Sequence, residues 1–376
     1  MQALQYAKSL IEFDSTSSLS NEPVSRHLES ELKAIGFEVE MVPYQDHLGV
    51  TKMNVVARKG NGTGGLGYFA HSDVVPAKTW HSDQATPFEP LVTDDRLYGR
   101  GSCDMKGSIA AMLAAAARFE SQQLKQPLYF VVTADEEVGF VGAKVVAEQS
   151  RQYREMVDGG TKAIIGEPTE LQVIHAHKGS IKIMAESIGE EAHSSTTAGK
   201  NANLAMIPFL AEMKIIYDET QTDDRWMNSE FDPPTLSLNI NIKDSSPAFN
   251  VKPDRSTCVV YLRTMPNVDV QPLLNRMKTA ATAHGLDISI EKSSDPFYVS
   301  TDSEFVVESL AIAGQAKART VSYGTDGGVF GELTDKIVFG PGSINQAHTV
   351  SEFIMLEQLE LGTKFYEQMI RRLCCV

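Results

Sequence analysis

His71, Asp73, Asp104, Glu136, Glu137, Glu167 and His348 each stand at or just beyond the point where an apolar or glycine-rich run of the chain stops. Two imidazoles with three carboxylates suit borderline divalent metals such as zinc or cobalt, whereas calcium and magnesium sites are built mostly from oxygen. His71, Asp104, Glu137, Glu167 and His348 exceed what one tetrahedral ion needs, and they serve two ions if one carboxylate bridges. The chemistry to expect is water activation: a water held by such a pair loses its proton easily, and a free carboxylate beside it can take that proton. Glu136 is the candidate base, because of two adjacent glutamates one can coordinate while the other faces the water. Asp73 follows His71 by two residues, on the same side of a strand, and is placed to support that imidazole.

Each signal is weaker alone. Asp104, directly before the apolar run 108–119, reads in isolation as a helix cap. The carboxylates of Asp135, Glu136 and Glu137 repel one another at the end of a buried strand unless a cation absorbs their charge.

The elements that must position these groups follow from periodicity. Apolar stretches at 66–70, 128–133, 163–165 and 336–339 are the kind buried in a parallel sheet, and helical spacing recurs at 3–13, 108–119, 303–313 and 352–373. This predicts an α/β fold: a mixed, mostly parallel sheet sandwiched by helices, with its site at the carboxyl edge. Between 180 and 292 the pattern changes to alternating strands at 181–188, 236–242 and 256–262 with helices at 202–217 and 270–283. That predicts an inserted α+β domain with an antiparallel sheet, leaving 1–179 and 293–376 as one discontinuous catalytic domain.

At 376 residues the chain exceeds one ordinary core. Its 34 Lys and Arg against 49 Asp and Glu leave a net charge of −15, which argues against nucleic acid as partner. The longest apolar run, 109–117, is too short for a membrane span, and no secretory pattern opens the chain; a cytoplasmic protein with reduced cysteines is the expectation. The glycine-rich turn 60–67 lacks the Lys-Ser/Thr ending of a phosphate loop.

The motifs Ala70-His71-Ser72-Asp73-Val74-Val75-Pro76, Tyr98-Gly99-Arg100-Gly101-Ser102-Cys103-Asp104-Met105-Lys106-Gly107, Asp135-Glu136-Glu137 and Gly166-Glu167-Pro168-Thr169 together resemble one family. It is the dinuclear zinc aminoacylases and carboxypeptidases, which include acetylornithine deacetylase and succinyl-diaminopimelate desuccinylase. The segments 176–179, 193–195 and 340–348 look most like the acetylornithine deacetylase branch. The resemblance implies a zinc-peptidase-like catalytic domain, an inserted lid and dimerisation domain, and two zinc ions per subunit, with cobalt able to substitute. It implies that Asp104 bridges, that His71 and Glu167 bind one ion and Glu137 and His348 the other, and that a cis peptide follows Asp104. It also implies Glu136 as general base, a homodimer in which His193 reaches across to the oxyanion, and Asn250 with Arg263 gripping the carboxylate of a small N-acyl amino acid. The sequence departs from the family at Ala70, His175, Thr196-Thr197 and Gly324-Thr325-Asp326-Gly327-Gly328; the last three lie where the substrate's two halves are recognised.

Overall fold

Strands of unbroken apolar residues belong inside a sheet covered on both faces, and Leu66–His71 and Leu128–Thr133 are buried along their whole length. In the computed structural model, which describes residues 2–81 and 85–375, these two strands run parallel, with His71 opposite Thr133. Lys162–Ile165 and Lys336–Val338 extend the parallel part on the other side of Leu66–His71. Seven of the nine described strands of this sheet run in the order Glu38–Gln45, Thr51–Lys59, Leu128–Thr133, Leu66–His71, Lys162–Ile165, Lys336–Val338 and Ile174–His177. The outer pairs are antiparallel. The four central strands therefore end at one edge, where an open α/β sheet holds its ligands. This is the mixed, mainly parallel α/β architecture that the sequence predicts.

Lys106–Ala116 is apolar or small almost all round, and every residue in it is buried, as expected of a helix without a solvent face. It packs against Gln2–Ile11, Leu356–Cys374 and Leu66–His71. Its one charge, Lys106, donates to the Phe13 carbonyl at 2.8 Å. Val141–Gln149 and Arg151–Gly159 are helices that the periodicity does not reveal; Ser150 separates them and caps the second by accepting from the Tyr153 N–H.

The last helix is expected from about 352 but begins at Leu356. Phe353–Met355 is instead a strand paired with Arg96–Tyr98. Phe353 packs on the Tyr98 ring, and the Arg96 guanidinium lies over it at 4.3 Å. These tertiary contacts outweigh the local helical spacing.

The chain divides into two compact units, one of Met1–Ala176, Tyr298–Arg319 and Thr325–Val376, the other of His177–Phe297 with Thr320–Gly324. The stretch 180–292 expected as an insert lies inside the second unit, which is longer at both ends and also takes in 320–324. This unit holds an antiparallel sheet in the order Ser237–Asp244, Arg255–Thr264, Gly179–Ile188, Asp287–Ser294. Alternation along Arg255–Thr264 buries Cys258, Val260 and Leu262 beneath the helix Asn203–Thr222, while Gln271–Ala283 packs against that helix and against Asp287–Ser294. Asp287–Ser294 adds a strand that the sequence, with only Ile288 and Ile290 alternating there, does not announce. All four cysteines are free thiols, and among the described residues no helix is long and apolar enough to cross a membrane.

Candidate metal centre and active site

The parallel strands and the loops beside them deliver the acidic and imidazole groups to one place. His71 ends its strand with Nε2 3.0 Å from Asp104 Oδ1 and 3.8 Å from Glu167 Oε1. His348 Nε2 lies 3.3 Å from Asp104 Oδ2 and 3.0 Å from Glu137 Oε1. Asp104 thus sits between two half-sites, giving one oxygen to each imidazole. His71, Asp104 and Glu137 offer ligand atoms that all lie within 4.8 Å of one another. The peptide between Asp104 and Met105 is cis.

Asp104 is delivered by a turn with no room for side chains where the glycines stand. Gly101 has φ +80°, and a Cβ there would meet Val74 Cγ1 at 2.8 Å. Gly342, in the loop before His348, has φ +97°, and a Cβ there would meet Cys103 Sγ at 2.5 Å. The two ligand loops therefore touch where only glycine fits.

The electrostatics are those of a site made for a cation. Burial pushes Glu136 and Glu167 well above the ordinary carboxylate range and Glu137 upward, and the neighbouring acids add to each effect. Burial disfavours a charged His71, but Asp104 and Asp73 outweigh it and hold its pKa well up. Asp104 and Glu137 raise His348 to about 10. Buried acids crowded together in this way are relieved by a dication in their midst. Ligand atoms on a tetrahedral zinc with bonds of about 2.0–2.2 Å stand about 3.3–3.6 Å apart. The imidazole–carboxylate separations of 3.0 to 3.8 Å bracket that spacing. The residues present fit metal ions.

Around this cluster the structure gives Asp73 a wider role than the sequence suggests. The Asp73 main-chain carbonyl faces His71 Nδ1 at 2.9 Å, and the carboxylate is further away at 3.6 Å. That carboxylate accepts instead from Ser17 Oγ at 2.8 Å and from the N–H groups of Glu136 and Glu137 at 3.1 and 3.4 Å. Of the three acids 135–137, Asp135 turns away with φ 56°. It meets the buried Lys52 ammonium at 2.9 Å and accepts from Tyr44 Oη at 2.7 Å. Its charge is absorbed by protein, leaving Glu136 and Glu137 for the centre.

Three residues expected at the site belong to the second unit. His193 is exposed, on the short strand Ala192–His193, opposite Val251. Asn250 is its neighbour, since the Asn250 carbonyl accepts the Ser194 N–H at 2.9 Å. Arg263 lies near the far end of Arg255–Thr264, its guanidinium 5.0 Å from the Tyr261 ring centroid. At about 3.3 Å per residue, an extended strand puts it about 26 Å beyond Arg255. One chain therefore does not bring Asn250 and Arg263 together as a pair.

Two residues near the centre escape sequence reasoning. Asp326 is buried beside Thr133, whose hydroxyl lies 2.5 Å from its Oδ2. Burial raises its pKa to about 7. The signal for it was the departure at 324–328. Glu352 is buried against the Asp104 turn; an acid expected at a helix start gives no such hint.

The chain's likeness to known proteins agrees with this geometry. The sequence profile of Peptidase family M20/M25/M40 matches residues 67–372. The acetylornithine deacetylase of Myxococcus xanthus is 33% identical over 362 residues, covering 93% of this chain and 92% of that protein. The chain belongs to the M20 peptidase family. It is a metal-dependent hydrolase of amide bonds. Among solved M20 structures, a metallo-carboxypeptidase of Sulfolobus solfataricus superposes with a TM-score of 0.77 at 17% identity, covering 99% of both chains. A Bacillus subtilis peptidase of the M20 family, described as dinuclear metal-binding, superposes with a TM-score of 0.66 at 16% identity, over 99% of this chain and 97% of that one. At these identities the structures speak for the fold alone.

Proposed function

We propose that this M20 hydrolase removes the acyl group from an N-acyl amino acid, N2-acetyl-L-ornithine foremost, using two zinc ions per subunit. The observation that carries the reading is Asp104, whose two oxygens face two different histidines, each with its own further carboxylate. Likeness to an acetylornithine deacetylase over nearly the whole of both chains supports the substrate.

His71 and Glu167 would hold one ion, His348 and Glu137 the other, with Asp104 shared; the pair would polarise the amide carbonyl and lower the pKa of an attacking water. The chain's own residues do the rest. Glu136, its pKa raised by burial, takes the proton of the water and returns it to the leaving amine. A base tuned upward from the carboxylate range is suited to both transfers near neutral pH. Ser195 faces His193 Nδ1 with its N–H at 3.3 Å and its hydroxyl at 2.8 Å; with Nδ1 accepting from both, a neutral ring carries its proton on Nε2, where it can donate to a developing oxyanion. His193 acts from the partner subunit. Asn250 and Arg263, far apart within a chain, grip one substrate carboxylate only when they come from different copies, which supports a homodimer. The setting is cytoplasmic, with the cysteines as free thiols.

The test is a hydrolysis panel on zinc-loaded enzyme: N2-acetyl-L-ornithine, N-succinyl-diaminopimelate, acetylated neutral amino acids and dipeptides. The reading requires acetylornithine to have the highest kcat/KM; a preference for the succinylated substrate or for dipeptides overturns it.

A further inference from the structure

We propose that Arg100 and Glu352 form a positioning clamp that fixes the Asp104 turn to the His348 loop and so sets the metal affinity of the centre. The proposal rests on the reading of Asp104 and His348 as ligands.

Both side chains are 1% exposed. Glu352 Oε1 accepts the N–H groups of Cys103 and Asp104 at 2.8 and 3.0 Å. Its Oε2 accepts the N–H of Gly101 at 3.0 Å and Arg100 Nη1 at 2.8 Å. Each carboxylate oxygen thus receives two donors, and the turn from Gly101 to Asp104 is moulded around one acid. Arg100 completes the link by donating Nη2 to the carbonyl of Thr349 at 3.1 Å, one residue beyond His348. Trp80 covers the guanidinium at 5.5 Å. The main chain of the same segment is tied in parallel, the Gly99 N–H donating to the Glu352 carbonyl at 3.1 Å.

Fold stability is a poor explanation for this arrangement. A buried ion pair can often be replaced by well-packed apolar residues at no loss, and a carboxylate placed close to Asp104 adds repulsion to a cluster already rich in acid. What an apolar pair cannot do is give four donors on one loop a single shared point. Asp104 and His348 come from segments far apart in the chain, and in the proposed centre they hold an ion in common. Their separation is set by whichever groups join their loops, and among the described side chains Arg100 and Glu352 join them through five hydrogen bonds. The Cys103 thiol adds a weaker link, to the Ser343 carbonyl at 3.2 Å.

The experiment is zinc titration of metal-stripped full-length protein by competition with a chromophoric chelator, with the visible spectrum of the cobalt-substituted form and the Tm of the stripped protein as further readouts. Glu352→Gln keeps the shape but loses one acceptor and turns an amide toward N–H groups. We expect it to weaken zinc binding ten- to a hundredfold, the scale for groups that orient metal ligands, and to change the cobalt spectrum. Ile370→Val, a buried core change distant from the turn, should lower the Tm of the stripped protein while zinc affinity stays at the wild-type value. If Glu352→Gln does not fold, Arg100→Lys retains the charge but loses the fork that reaches both Glu352 and Thr349, and it should weaken zinc binding at least fivefold. Wild-type affinity and an unchanged cobalt spectrum in the folded variant overturn the clamp. Wild-type protein that takes up no zinc overturns the metal reading itself, and the clamp with it, before any variant is compared.

Discussion

The carboxylate of Asp73 accepts the backbone N–H of Glu136 at 3.1 Å, so the acid next to His71 also fixes the turn that presents the candidate base. An amide there would offer one acceptor where Ser17, Glu136 and Glu137 all donate. Asp73→Asn should lower kcat/KM and zinc affinity about ten- to a hundredfold, as loss of a ligand-orienting group does. Steady-state kinetics with zinc titration check this; unchanged values would show that the turn holds itself.

Glu136 is the one acid of the 135–137 run with no side-chain hydrogen bond among the described residues, which leaves it free to move a proton. Glu136→Gln should retain two metals and lose at least about a hundredfold in kcat, the usual scale for a general base. Metal analysis with turnover on the best substrate of the panel decides it, and near-normal turnover removes Glu136 from the mechanism.

Lys52 is 1% exposed and meets Asp135 at 2.9 Å while donating to the carbonyls of Ser17 and Leu19 at 2.5 and 2.8 Å. Lys52→Met leaves that buried carboxylate without its counter-charge, a loss on the order of 3–5 kcal/mol. Urea denaturation measures it. Adding Asp135→Asn should restore part of the loss, and a single-variant effect below about 1 kcal/mol would mean that Asp135 is solvated after all.

Asp326 gives a pH signature. Thr133 Oγ has one hydrogen and two oxygens within reach, the Ala70 carbonyl at 3.2 Å and Asp326 Oδ2 at 2.5 Å. The Thr133 hydroxyl donating to Asp326 favours the ionised acid, but burial outweighs that bond and raises the pKa to about 7. Because the folded value lies above the unfolded one, the stabilisation is complete below pH of about 4 and is lost as pH rises through about 7. In the metal-free protein, Asp326→Asn should flatten this decline and gain about 2–3 kcal/mol on wild type between pH 5 and 8, read as Tm against pH. Parallel Tm curves for the two proteins would rule the effect out.

Much of the site is legible in the chain because ligands on an open α/β sheet come from places with a local signature. His71, Glu137 and Glu167 each follow a short apolar strand, and Asp104 lies in a turn whose glycines announce a tight backbone. The charge run 135–137 was legible as a problem needing a cation, although not which acid would be neutralised by which partner. The tertiary structure decided that. Asp135 turns back to a lysine more than eighty residues earlier, leaving Glu136 and Glu137 to face the centre. Glu352 looked like an acid at a helix start and is the acceptor for a turn some 250 residues away. Asn250 and Arg263 looked like a pair, yet an extended strand holds them apart. Strand ends and tight turns are written in residues close together, so sequence alone shows them. The partner of a buried charge, and the reach between two rigid elements, depend on packing that joins distant segments, and only the folded chain sets those.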